Sequence, residues 1–150
     1  MEDIERVWRI LDKEGEVRIE GVKNGEFILV KGMRSGDELS QFVSGIREKL
    51  ERLWEIIEER GRRYKEWDDR DYSYSYVRPV REALKALRKI DRTKGSRKVR
   101  RLLKTVAENL RELIKALSDS YLGGFVSNDE KRAILQISRE VFDMMTAELQ

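Results

Sequence analysis

The sequence predicts a mainly α fold with a minor α+β part: a bundle of about four helices, preceded by an N-terminal helix and β-hairpin. Three observations predict it. Apolar residues recur at i, i+3, i+4 and i+7 along most of the 150 residues. Asn24-Gly25 sits between two short alternating runs, the pattern of a two-residue hairpin turn. The chain is 41% charged and 39% hydrophobic. A chain without periodicity would read as disordered at that ratio, but periodic apolar residues and three Trp place it among folded, heavily charged helical proteins.

Ile4, Val7, Trp8 and Leu11 form one stripe on a short helix that ends near Lys13, with Gly15 as its stop. Strands over 16–22 and 26–31 follow. If Asn24 and Gly25 form the loop, Val17, Ile19, Gly21, Ile28, Val30 and Gly32 share the core face. The other face carries Val22, Phe27 and Leu29, so it too is expected to meet something. Residues 1–34 are therefore expected to form a small subunit packed on a 35–150 bundle.

Ser35 and Glu38 match a capping box at the start of a long helix. Leu39, Val43, Ile46, Leu50, Leu53, Ile57, Tyr64 and Trp67 keep a 4-3 spacing broken only at Arg60. From 37 to 67 this helix would run about 46 Å at ~1.5 Å per residue. Phe42, Trp54 and Ile56 widen the stripe, which favours bundle packing over a two-stranded coil.

Residues 68–76 break the pattern, because Tyr72, Tyr74 and Tyr76 alternate with serines. Pro79 fits the first turn of the next helix, which carries Val80, Ala83, Leu84 and Leu87 and ends near Ile90. Ser96 is the expected N-cap of a helix with the stripe Val99, Leu103, Val106, Leu110, Leu113 and Leu117. Leu122-Gly123-Gly124 closes that region. Ser127 and Glu130 form a second capping box, opening a helix that buries Ile134, Ile137, Val141, Met144 or Met145, and Leu149.

The absent residue types exclude whole chemistries. With no Cys there is no disulfide, thiolate nucleophile, zinc ribbon or iron–sulfur cluster. With no His there is no histidine metal ligand, imidazole base or Ser–His pair. No nucleophile motif, phosphate loop or dinucleotide fingerprint is present, so the protein reads as a non-enzyme with no cofactor and no small-molecule substrate. Asp68, Asp69 and Asp71 match no calcium-loop spacing, and no metal site is assigned. No apolar run approaches a membrane span and residues 1–15 lack a signal-peptide centre, so the expected location is cytoplasmic. High Glu, Lys and Arg with three Gln and three Asn fit a thermophile.

The sharpest functional signal is charge segregation. Between Arg92 and Ser118 nine Lys/Arg face two acids, a window of +7 in a chain of net +3. Arg97, Lys98, Arg100 and Arg101 fall in the first turns of their helix, where the dipole disfavours cations by typically ~0.3–1 kcal/mol each. A local rule broken without local gain points to a partner. Arg92, Lys94, Arg97, Lys98, Arg100, Arg101 and Lys104 are thus candidate phosphate contacts for nucleic acid, with little sequence preference. The competing explanation is intramolecular: Glu48, Glu51, Glu55, Glu58 and Glu59 would neutralise the basic helix if the two helices packed side by side.

A second candidate set is aromatic. Trp67, Tyr72, Tyr74 and Tyr76, with Arg62, Arg63, Arg70 and Arg78 nearby, could stack bases or anchor an interface. The alternative is a connector whose rings cover the bundle end with hydroxyls in water. The runner-up function is an interaction or assembly protein that oligomerises or docks a partner through the 37–67 helix and the hairpin.

Overall fold

A computed structural model describes residues 36–64, 69–90 and 96–149. The expected N-terminal helix and β-hairpin, the Ser35 cap, Trp67, Arg92 and Lys94 lie outside the described residues. What is described is a four-helix bundle. Helix α1 is Gly36–Arg63. The second rod comprises α2 (Arg70–Tyr72), a π-helical segment (Ser73–Val77) and α3 (Arg78–Ile90). Helix α4 is Ser96–Ser118, a 3-10 turn covers Leu122–Phe125, and α5 is Asn128–Leu149.

The helices close a ring in the order α1–α3–α4–α5, in which α1 neighbours α3 and α5, while α4 packs most closely on α3. Helices α1 and α4 therefore lie across the bundle from each other. The predicted stripes form the core. Val43, Ile46, Leu50, Leu53 and Ile57 of α1 are completely enclosed, as are Val80, Ala83 and Leu87 of α3. Val99, Leu103, Val106, Leu110, Leu113 and Leu117 of α4 are buried, and so are Ile134, Ile137, Val141, Phe142 and Met145 of α5. Burial of apolar area at roughly 25 cal/mol per Å² is the main term holding four such amphipathic helices together. Because the α1 seam is enclosed within one chain, the exposed side of that helix is charged, with Glu48, Glu51, Glu55 and Glu59 at the surface.

Two expectations need correction. Helix α1 ends at Arg63, short of Trp67. Tyr64, assigned to the seam by spacing, is half exposed and lies against the Arg60 guanidinium, 3.8 Å from ring centroid to charge. The Tyr-rich stretch is helix, not an alternating connector. Asp69 caps it, accepting from the backbone N–H groups of Asp71 at 2.8 Å and Tyr72 at 3.2 Å. The Ser/Tyr alternation mimics a strand period, but Tyr72, Tyr76, Val77 and Val80 supply a helical one, and that stripe prevails through burial.

Pro79 explains the π-helical segment. Proline has no N–H to donate and crowds the carbonyl one turn back. Here the Arg78 N–H reaches past Tyr74 to the Ser73 carbonyl, widening the turn ahead of the proline. The Tyr74 carbonyl is then left without its usual backbone donor. The Arg78 side chain takes that place, its Nε donating to the Tyr74 carbonyl at 3.2 Å.

The Ser127–Glu130 capping box forms as expected: the Ser127 N–H donates to the Glu130 carboxylate at 2.7 Å, and the Glu130 N–H to the Ser127 hydroxyl at 3.1 Å. Arg60, the break in the α1 spacing, reaches the same carboxylate at 2.9 Å. One interrupted stripe in the sequence is thus an ion pair between α1 and the start of α5.

Candidate nucleic-acid interface

The basic residues of α4 do not stand alone. Helix α3 carries five cations (Arg78, Arg81, Lys85, Arg88, Lys89) against Glu82, a charge of +4. Helix α4 carries seven cations against Glu108 and Glu112, a charge of +5. These two helices are direct neighbours. Across the bundle, seven acids against six cations give α1 −1, and five against three give α5 −2. The bundle is therefore split into a basic α3–α4 layer of +9 and an acidic α1–α5 layer of −3.

Of the candidate phosphate contacts, Lys98 and Arg101 are exposed, and Arg100 and Lys104 are partly exposed. Arg97 lies in the first turn of α4. On α3, Arg81, Lys85 and Arg88 are exposed. A scan for one basic window misses these three. Counting charge helix by helix finds them, since α3 has a single acid.

The intramolecular explanation required α1 beside α4, and the bundle order separates them. Glu58 pairs instead with Arg62 of its own helix at 3.6 Å. Lys49 of α1 pairs with Glu140 of α5 at 2.9 Å, within the acidic layer. Hydrogen bonds from Lys49 and Gln136 hold the Glu140 carboxyl below its ordinary value. On α4 the Lys115–Glu112 pair is loose, at 3.8 Å, with both side chains more than half exposed.

The aromatic candidates divide. Tyr72 and Tyr76 are completely buried, so neither ring offers a face to a base. Their rings stack with centroids 5.3 Å apart, and Tyr72 meets Phe125 at 5.9 Å. Their hydroxyls do not reach water. Tyr72 donates to the Ile57 carbonyl and Tyr76 to the Leu122 carbonyl at 2.7 Å. Asp71 accepts from the Tyr121 hydroxyl at 2.9 Å. Tyr74 alone of the three is outward, 64% exposed, with the Arg78 guanidinium 4.3 Å from its ring centroid.

Beside Arg78 lies an open groove of about 370 Å³ lined by Arg78, Glu108, Asn109, Arg111, Glu112 and Lys115. The Asn109 side-chain amide is fixed by donating to the Thr105 carbonyl at 2.9 Å. Among the described residues no group of three or more acidic side chains is placed to hold a metal ion. No described helix is long and apolar enough to cross a membrane.

No protein-family model, no curated protein and no solved structure matches this chain.

Proposed function

We propose that the protein is a non-enzymatic nucleic-acid-binding protein that contacts the phosphate backbone through its basic α3–α4 layer, with little sequence preference. The observation that carries this reading is the pairing of two neighbouring basic helices, +9 together, on the side of the bundle away from the acidic α1 face. A surface of one sign raises the local concentration of an anionic polymer and speeds its encounter. Lysine and arginine on such a surface displace condensed counterions from phosphates, which supplies affinity without reading bases. The side chains reach outward from rigid helices, and they broaden the site from one helix to a face two helices wide.

The test is fluorescence anisotropy with labelled single-stranded DNA, duplex DNA and RNA, between about 50 and 200 mM salt. A variant carrying Lys85→Glu, Arg88→Glu, Lys98→Glu and Arg101→Glu is compared with one carrying Arg62→Glu, Arg63→Glu, Arg132→Glu and Arg139→Glu. Both take the formal net charge from +3 to −5, four reversals of two units each. The expected result is salt-sensitive binding that the first variant abolishes and the second largely keeps. Equal loss in both would reduce the effect to net charge, and no binding to any probe at low salt would end the proposal.

A further inference from the structure

Tyr74 and the groove beside Arg78 are not needed for backbone contact, yet they are built with more order than a solvated surface requires. The Arg78 side chain is held twice, by its Nε bond to the Tyr74 carbonyl at 3.2 Å and by its stacking on the Tyr74 ring at 4.3 Å. The ring is thereby fixed on one side while 64% of the residue is exposed. The Nε bond follows from the π-helical turn ahead of Pro79, which directs the Arg78 N–H to Ser73 and leaves the Tyr74 carbonyl to the side chain. Fixed aromatic surface next to a guanidinium is the platform on which an unstacked base rests.

The groove supplies the rest of a nucleotide site. Arg78 belongs to both, so ring and groove adjoin. Arg111 and Lys115 line the groove as cations that a phosphate would meet, while Asn109 and the carboxylates of Glu108 and Glu112 offer acceptors to the N–H groups of a base edge. Two carboxylates among three cations suit a mixed ligand of phosphate and base better than a run of phosphates. A duplex keeps its bases stacked inside and presents only backbone here. A single strand can present both.

We infer that the Tyr74–Arg78 ledge and the adjoining α3–α4 groove bind an unpaired nucleotide, which makes the basic layer selective for single-stranded over double-stranded nucleic acid. This rests on the nucleic-acid reading above. It places the base against the free face of Tyr74 and its phosphate toward Arg111 and Lys115.

The experiment uses the full chain, a labelled oligothymidylate of about 12 nucleotides, within the ~4–16-nucleotide footprint of single-strand binders, its uridine counterpart, and a labelled hairpin duplex. Tyr74→Ala, at an exposed position, should weaken single-strand binding roughly 5- to 150-fold, the range for one lost base stack, and leave duplex binding unchanged. Tyr74→Phe should bind as the unaltered chain does. Lys115→Gln should lower the single-strand salt slope by about 0.7, the value for one phosphate contact. Unchanged single-strand affinity in Tyr74→Ala, or equal weakening toward duplex, would overturn the inference. If the Lys85/Arg88/Lys98/Arg101 reversal still abolished binding in that event, the basic-layer reading would stand alone. Failure of every probe to bind the unaltered chain would remove both. Comparison of the thymidine and uridine strands separates a DNA from an RNA ligand.

Discussion

At one end of the bundle, side chains tie together segments that are far apart in the chain. Tyr72 bonds to the Ile57 carbonyl of α1, Tyr76 to the Leu122 carbonyl beyond α4, Arg60 of α1 to Glu130 of α5, and Tyr121 to Asp71. At the other end, α3 finishes on Arg88 and Lys89 and α4 begins with Arg97, Lys98, Arg100 and Arg101. Cations suit the C-terminus of α3 and oppose the dipole at the N-terminus of α4. The same bundle thus has an end where polar groups satisfy one another and an end where like charges accumulate. The first end is held by bonds between segments far apart in the chain and also carries the Tyr74–Arg78 ledge, while the second concentrates the cations of α3 and α4.

The most severe way to break the tied end is Tyr72→Ala. The ring is completely buried between Tyr76 and Phe125, so its loss leaves a cavity and removes the hydroxyl's bond to the Ile57 carbonyl. The expected destabilisation is about 3–5 kcal/mol, as for other large aromatic-to-alanine changes in cores. Chemical denaturation should register it as a lower midpoint. Tyr72→Phe isolates the hydroxyl and should cost about 0.5–1.5 kcal/mol, the net worth of one hydrogen bond to a carbonyl that keeps its helical partner.

Gly123→Ala tests how closely the same end is packed. A Cβ at this position would stand 2.8 Å from the Leu117 carbonyl oxygen, and backbone cannot swing aside as a side chain can. The 3-10 turn must shift, at a cost of about 1–3 kcal/mol. Gly124, with nothing within 4 Å of the corresponding Cβ position, serves as the control. If the two alanine variants melt together, the turn is looser than its geometry implies.

These same residues mark what the sequence disclosed and what it concealed. The stripes of α1, α3, α4 and α5, the Ser127–Glu130 box and the basic character of α4 are all local patterns, and local patterns are legible. Arg60 was visible only as a flaw in a stripe, because its partner Glu130 is 70 residues away. Tyr72 and Tyr76 were hidden by the serines between them, which imposed a period of two on a helix. The basic layer was half visible. The charge of α4 stood out, but its union with α3 depends on which helices are neighbours, and that is a property of the closed bundle. The Tyr74–Arg78 ledge depends further on the π-helical turn, which the single proline hinted at without specifying.

The charged end should respond in the opposite sense. Lys98→Glu replaces a cation in the first turn of α4 with an anion, which the helix dipole favours by about 0.3–1 kcal/mol. Thermal melting should therefore rise slightly while affinity for a single strand falls. Tyr72→Phe should do the reverse, lowering stability without changing the salt slope of binding. A drop in both stability and affinity for Lys98→Glu would mean that the α4 N-terminus is structurally tied after all, and the contrast between the ends would fail.

The smallest effect sharpens the comparison by pH. The Tyr121 hydroxyl is raised above its ordinary 10.0, first by its hydrogen bond to Asp71, then by local burial and by the carboxylates of Asp71 and Asp69. Folding thus holds this proton more tightly than the unfolded chain does. The contribution is fully present below about pH 10 and is lost as pH rises through the folded value, which lies above it. The difference in melting temperature between the unaltered chain and Tyr121→Phe should stay constant from neutral pH to about 9 and narrow beyond 10. The basic end offers no tyrosine bonded in this way among the described residues, so Lys98→Glu should give no such narrowing near pH 10. A flat difference for Tyr121→Phe up to about pH 11 would place the Asp71 contact outside the group that ties this end of the bundle.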